Sequence, residues 1–359
     1  MDRMIEEPEV LVSRSGSLGH ISLNRPKALN SLTLNMVRTI NAALDAFEEN
    51  PDVIVVLLTG EGHRGLCAGG DIRMLYDSGK AGTPLAETFW REEYVLNSRI
   101  GCFPKPYVAI MDGLVMGGGV GISAHGSHRI VTDKTRLAMP ETGIGFFPDV
   151  GGTWLLSRPN REWGTYLGLT GTQVGAADAM AAGLADFHLL HEKLDELADR
   201  LCTLPAGSSA FRVKETIAAL ATTPEPGATE EVRAIVETAF RSSSVEEIIG
   251  SLETMTEDFA QATCKMLLSK SPTSLEVTLR LLRLGASDKR LEECLKREFA
   301  ATQAVLKSAD FYEGVRAAVI DKDRKPQWTP RSLAEVEPSV VSNYFVPHPR
   351  PIFAEENLP

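Results

Sequence analysis

The sequence predicts an α/β protein in which a strand-bearing first half gives way to a helical second half. Three observations carry this. Val53–Thr59, VIVVLLT, is a continuous apolar, β-branched run of the kind that forms a strand covered on both faces. Tyr107–Met111 repeats that character after an intervening helical stretch, and strands alternating with helices give a layered core with parallel strands. Beyond Asp186–Leu190 the strand signal fades, and apolar residues recur at helical spacing.

Taken in order, Val10–Ser13 and His20–Leu23 read as short strands around a glycine-containing turn, Ser15–Gly19. Thr33 is an N-cap for a helix over Leu34–Glu49, in which Val37, Ile40, Leu44 and Phe47 share one face. The strand Val53–Thr59 is followed by the loop GEGHRGLCAGGD and helical sequence up to about Arg99. The segment Asp112–Gly152 places three glycines, Gly117–Gly119, directly after an apolar run, with helix expected from Ile122 onward and again over Val150–Ser157. From about His191 to Ile320 the pattern is mostly helical, broken by TTPEPGAT at Thr222–Thr229. The proline-rich stretch from Asp321 reads as irregular. This divides the chain into an α/β core (1–190), a helical region (191–320) and an irregular extension (321–359).

Composition narrows the function classes. The 359 residues are 43% hydrophobic and 24% charged, ordinary for a globular protein. A net charge of −11 argues against nucleic acid as a partner, but leaves room for a small anionic ligand held by a local basic pocket. Cys67, Cys102, Cys202, Cys264 and Cys294 are scattered, form no C-x-x-C pair and suit a reducing compartment. The acidic start MDRMIEEPEV has neither signal-peptide nor transit-peptide character, and no run reaches the roughly 18 apolar residues of a membrane span. The expectation is a cytoplasmic enzyme or binding protein, with no membrane association.

Several residues are candidates for chemistry, each with a plainer reading beside it. In Cys67–Asp71, CAGGD, the Gly70 N–H is a donor for a substrate oxygen; the plain reading is a strand-to-helix turn with Asp71 at the helix start. Gly117–Gly119 present N–H groups near a helix N-terminus, where negative charge is favoured. Gly119, Gly121 and Ala124 also fit G-x-G-x-x-A, a relaxed dinucleotide fingerprint. Two donors from separate loops form an oxyanion hole, in which losing one costs on the order of 3 kcal/mol of transition-state stabilisation. Glu141, in LAMPETGIGFF, is a carboxylate in apolar sequence whose pKa should rise toward the range useful for acid–base work; otherwise it is a helix-start carboxylate. Asp149 reads alternatively as an N-cap, and the pair Glu92–Glu93 as a solvated helix face. There is no G-x-S-x-G elbow, no Walker A motif and no histidine–carboxylate cluster at metal-ligand spacing. His125, His128, His188 and His191 read as surface or packing residues.

With HISLNRPKALNSL, CAGGDIR, GLVMGGGVGIS and MPETGIGFFPDVGGTWLLSR, the chain resembles the enoyl-CoA hydratase/isomerase (crotonase) superfamily. Phe89–Asn97, Pro140–Gly152 and Glu313–Trp328 are similar to segments of its 3-hydroxyisobutyryl-CoA hydrolase subfamily, and the last has no counterpart in ordinary hydratases. The resemblance implies a crotonase-like spiral of ββα turns with a helical C-terminal region. It implies an oxyanion hole at the Gly70 and Gly118 amides, and CoA lying along Lys27, Ala28 and Leu29 and along Ala68, Gly70, Asp71 and Ile72. Glu141 matches the catalytic glutamate, and Glu93 and Asp149 match further carboxylates that bind or position the substrate. CoA belongs to the substrate, so no separate cofactor is implied. Relatives are often trimers or dimers of trimers, which leaves a homo-oligomer open. Ordinary hydratases add water with two glutamates, and the position of the first is Gly121 here. Losing one of two cooperating acid–base groups costs roughly two or more orders of magnitude in rate. The resemblance therefore implies thioester hydrolysis of a short 3-hydroxyacyl-CoA, in valine breakdown. An enoyl-CoA hydratase/isomerase, a non-catalytic acyl-CoA binder and, from the glycine fingerprint alone, a Rossmann oxidoreductase are the rivals.

Overall fold

The computed structural model describes residues 7–158 and 160–353. β1 (Val10–Ser15) and β2 (Leu18–Leu23) form an antiparallel hairpin turned at Gly16, whose φ of 55° glycine adopts without strain. Six strands follow: β3 (Val55–Gly60), β4 (Tyr107–Met111), β5 (Leu114–Met116), β6 (His128–Thr132), β7 (Arg136–Ala138) and β8 (Phe187–Leu189). The main sheet has the order β1-β2-β3-β4-β6-β8 and is parallel from β2 onward. Its central strands β3 and β4 are largely apolar because both faces are covered. Val56 and Leu58 of β3 join the large core on one side, while Val55 and Leu57 join a smaller core on the other.

The first-half helices are α1 (Leu34–Glu49), α2 (Ile72–Ala81), α3 (Leu85–Gly101), α4 (Gly118–Ser123), α5 (Gly152–Leu155), α6 (Arg161–Thr170) and α7 (Ala176–Ala181). Thr33 caps α1, its hydroxyl accepting from Met36 N at 3.1 Å, and Met36, Val37, Ile40, Ala43, Leu44 and Phe47 are its buried stripe. α8 (Leu194–Cys202) and α9 (Ala210–Ala218) cover the second face of the sheet through Leu197, Leu201, Val213 and Ile217. Five helices, α10 (Glu230–Phe240), α11 (Val245–Glu253), α12 (Asp258–Leu268), α13 (Pro272–Gly285) and α14 (Leu291–Val305), build up the large core. α15 (Ala309–Val315) continues into a π-helical turn, Arg316–Ile320, and α16 (Pro338–Asn343) interrupts an otherwise irregular C-terminal stretch.

A second row of pairings runs beside the main sheet and makes the chain a spiral. Leu32 bridges Gly70, Cys67 bridges Val115, and β5 pairs with β7. Each circuit of the chain thus repeats a strand in the main sheet, a short pairing in the second row and a helix.

Two helix boundaries differ from the sequence expectation. The helix expected from Ile122 already begins at Gly118. A carbon side chain at Gly119 would lie 2.5 Å from the Cys67 carbonyl oxygen, so close packing, not helix propensity, dictates glycine inside this helix. The helix expected over Val150–Ser157 is only Gly152–Leu155, because Val150 and Gly151 have left-handed backbones with φ of 54° and 77°.

Candidate active site

The second row of pairings brings the two glycine loops together. Gly70 and Gly118 each lie the same number of residues beyond the bridged pair Cys67 and Val115, so the loops leave the row in register. A side-chain carbon on Gly118 would stand 3.1 Å from Gly70 N, and one on Gly69 would stand 3.6 Å from Gly118 N. The bridge to Leu32 uses Gly69 O and Asp71 N and leaves the Gly70 N–H out. Among the described residues neither the Gly70 nor the Gly118 amide has an acceptor. Both line a cavity of about 1030 Å³.

Three carboxylates line the same cavity, and all three are buried: Glu93 is 2% exposed, Glu141 6% and Asp149 6%. Glu141 opens a 3₁₀ turn, Glu141–Ile144, with Oε1 2.8 Å from where a side-chain carbon on Gly117 would lie. Oε1 of Glu93 stands 2.6 Å from the corresponding point on Gly118. Glycine at both positions keeps the space between amides and acids open. Glu93 Oε1 and Glu141 Oε2 have no hydrogen-bond partner among the described residues. Asp149 Oδ2 accepts from the Tyr94 hydroxyl at 2.7 Å. The side wall is aromatic: Phe89 closes on Gly70, and Trp90 stacks on Phe146 with centroids 5.7 Å apart.

This setting favours the protonated form of each acid. Burial pushes the Glu141 carboxyl well above the usual glutamate range, and the Asp149 charge pushes the same way. Burial, then Asp149, raises Glu93 likewise. Asp149 rises to about 8 through burial; the Tyr94 bond opposes the shift, and the Glu298 charge reinforces it.

Sequence expectation and geometry part at several positions. Glu92 is the solvated member of its pair, bonded to Arg38 at 2.7 Å, while Glu93 turns inward. Asp149 does not cap α5 through its side chain; Gly151 is the residue before that helix. Ala68, Gly70 and Ile72 line the cavity, but Lys27, Ala28, Leu29 and Asp71 do not. Asp71 caps α2 and pairs with Arg25 at 3.2 Å. The Lys27–Leu29 strip is bonded to the same loop through Ala68 N and Leu29 O at 3.0 Å. Gly119 and Gly121, two members of the dinucleotide fingerprint, are packing positions: a carbon on Gly121 would lie 2.6 Å from Val150 Cβ. Among the described residues no group of His, Cys, Asp or Glu is arranged to hold a metal ion.

The site is not confined to residues 1–190. Lys270, Gly314, Ala317, Arg324 and Trp328, from the helical region and the extension, close the cavity. α15 seats directly on the Glu141 turn, since a carbon on Gly314 would collide with Ile144 and one on Gly145 with Asp310 O. Sequence reasoning missed Glu298 of α14. It accepts from Gly151 N at 2.7 Å, from Thr153 N at 3.0 Å and from the Thr153 hydroxyl, and so clamps the turn that carries Asp149. Burial outweighs these bonds and raises Glu298 to about 7. The signal was a charge inside the stripe Leu295, Phe299, Thr302, which is buried.

Comparison with known proteins fits this geometry. The family model for enoyl-CoA hydratase/isomerase matches residues 18–345. The chain is 42% identical over 350 residues to the mitochondrial 3-hydroxyisobutyryl-CoA hydrolase of Xenopus laevis, covering 95% of this chain and 89% of the relative. It is 42% identical over 346 residues to the human protein of that name, covering 94% and 88%. A crystal structure described as a carnitinyl-CoA dehydratase from Mycobacterium thermoresistibile superposes with a TM-score of 0.91 at 43% identity, covering 97% of this chain and 99% of that one. One described as an enoyl-CoA hydratase from Rhodobacter sphaeroides 2.4.1 gives 0.86 at 38%, covering 97% and 100%. The expectation of a cytoplasmic enzyme does not stand, because relatives matched along nearly the whole chain are named mitochondrial. Scattered thiols report a reducing environment, which more than one compartment provides, so cysteine usage never had the power to choose. With a family model spanning most of its length and close relatives over nearly all of it, the chain belongs to the enoyl-CoA hydratase/isomerase family.

Proposed function

We propose that this protein hydrolyses the thioester of 3-hydroxyisobutyryl-CoA, or of a similar short 3-hydroxyacyl-CoA, to the free acid and CoA, within valine breakdown. The observation that carries the reading is the pair of acceptor-free amides at Gly70 and Gly118 beside Glu141, with glycine at 121. In this reading the two N–H groups bind the thioester oxygen and stabilise the negative charge that develops on it. As the carboxylate, Glu141 opens the ester in one of two ways: it attacks the carbonyl carbon and expels CoA thiolate, after which water hydrolyses the mixed anhydride, restores Glu141 and supplies the thiolate's proton; or it takes a proton from a water that attacks the carbonyl carbon and passes that proton to the departing thiolate. Asp149 and Glu93 receive the 3-hydroxyl and orient the acyl group. The names of the curated relatives support the substrate.

The descriptions of the two solved structures reported above favour a second reading, hydration or dehydration of an enoyl-CoA. It needs a second acid–base group beside Glu141; position 121, where ordinary hydratases carry one, has no room for it, so Glu93 or Asp149 would have to serve instead. One experiment separates the readings. With 3-hydroxyisobutyryl-CoA and crotonyl-CoA offered separately, free thiol and enoyl absorbance are followed. Thiol release from the first substrate alone is expected. Loss of enoyl absorbance without thiol release would overturn the hydrolase reading, and binding without either would leave only an acyl-CoA carrier.

A further inference from the structure

A protein of net charge −11, with three carboxylates lining its cavity, has to receive a substrate whose CoA moiety carries several phosphate charges. Long-range attraction is of the wrong sign, so the cavity needs local cations. The segment Glu313–Trp328, EGVRAAVIDKDRKPQW, supplies one through an unusual division of its charges. The Arg316 guanidinium gathers three carboxylates: Glu313 at 2.8 Å, Asp321 at 2.7 Å and Asp323 at 2.7 Å. The acids of the DKDRK loop are thereby consumed. Arg324 is left exposed on the cavity wall, its backbone held left-handed at φ 55° by the bond from its N–H to Ala317 O at 3.0 Å. Among the described residues no carboxylate pairs with it.

Lys270 stands on the same wall. The Trp328 indole donates to Ser269 O at 2.9 Å, and Asp310 accepts from both the Ser271 hydroxyl (2.6 Å) and Thr329 N (2.7 Å). The DKDRK segment is thus pinned to residues 269–271. Lys270 Nζ lies 3.6 Å from where a side-chain carbon on Gly143 would stand. It too lacks a carboxylate partner among the described residues, and burial pulls its pKa below the usual lysine range with no charge opposing the shift. An unpaired, half-buried ammonium lining a cavity is costly unless an anion arrives.

We propose that Lys270 and Arg324 form a subsite for the phosphate groups of CoA. This rests on the acyl-CoA reading and deepens it. The acyl end is excluded as their target, because it lies among Glu93, Glu141 and Asp149, where an added anion is repelled. The subsite makes the C-terminal segment a part of substrate recognition and gives the DKDRK loop a function beyond packing.

Titration calorimetry with CoA and with pantetheine, which lacks the phosphates, tests it on the full chain. Lys270→Gln and Arg324→Asn (asparagine tolerates the left-handed backbone) should each weaken CoA binding roughly tenfold and flatten its salt dependence. Pantetheine affinity should stay within about twofold. Lys270→Arg should retain CoA affinity and controls for folding. Wild-type affinity for CoA in both neutral variants would overturn the proposal, as would equal losses for CoA and pantetheine. A wild-type protein that binds pantetheine and CoA equally well would sink the subsite but leave the hydrolase reading standing. One that binds neither would sink both.

Discussion

Gly118→Ala tests the heart of the site with a single methyl group. The new carbon would lie 2.6 Å from Glu93 Oε1, 3.1 Å from Gly70 N and 3.2 Å from Leu32 Cδ1. An oxyanion held by these loops must sit about 2.7–3.1 Å from each N–H nitrogen. The methyl therefore occupies much of the volume the oxygen needs, and it pushes Glu93 by several tenths of an ångström. Losing one such donor costs about 2.7–4 kcal/mol, or roughly 10²–10³ in kcat. Gly118 does not have a left-handed backbone, and it is already helical in α4, so alanine is not strained there and the fold should survive. The assay is thiol release from 3-hydroxyisobutyryl-CoA, with thermal unfolding measured on the same preparation. Gly250→Ala, in α11 with nothing within 4 Å of the added carbon, is the control and should retain wild-type activity. A Gly118→Ala enzyme that unfolds normally and keeps kcat within tenfold would refute the converging-amide argument.

Glu141→Gln should abolish CoA release, with thermal stability equal to or above wild type because it replaces a buried acid by a neutral isostere; retained turnover would remove Glu141 from the chemistry. Stability should fall as pH rises from about 7 to about 8. Burial raises the folded pKa values of Glu93, Glu141 and Asp149 (about 8), so the folded state binds more protons than the unfolded one there, and each retained proton contributes about 1.4 kcal/mol per pH unit. Urea midpoints would show this, with a shallower decline in Asp149→Asn; a midpoint rising over that window contradicts the assignment. Glu298→Gln should cost about 1–3 kcal/mol, because Gly151 N, Thr153 N or the Thr153 hydroxyl loses its acceptor. It should also lower kcat more than it raises KM, as the Asp149 turn loosens; unchanged kinetics would confine Glu298 to a structural role.

Legibility in the sequence followed the range of the interactions involved. β3, β4 and α1 were readable because continuous burial and one-sided burial leave local patterns, in VIVVLLT and in the spacing of Val37, Ile40 and Leu44. The glycine loops and Glu141 stood out because glycines and a lone carboxylate are chemically conspicuous in apolar sequence. Glu93 was not separable by charge from its neighbour Glu92. Its place in the stripe Phe89, Trp90, Asn97, Ile100 marks it as inward-facing, a pattern visible only once the helix has a register. The start of α4 was misread because glycine disfavours helix in isolation, whereas here the close approach of Cys67 requires it. Lys270 and Arg324 carry no local signal at all. Their place in the cavity wall depends on Trp328 reaching Ser269 across the fold, which no spacing rule encodes.

Position 121 shows how a shared fold separates two chemistries. One fold hosts different chemistries, so the spiral alone cannot choose between adding water to a double bond and splitting a thioester. The choice falls to what stands beside Glu141. Here a carbon at 121 would meet Val150 Cβ at 2.6 Å and Asn97 Nδ2 at 3.0 Å. Val150 is held there by a left-handed backbone and by His125 Nε2 on its carbonyl at 2.8 Å, and the adjoining Gly151 by Glu298. The turn that presents Asp149 to the cavity is therefore the same turn that fills the space a second glutamate would need. Presenting Asp149 to the cavity and excluding an acid from position 121 are two consequences of one turn.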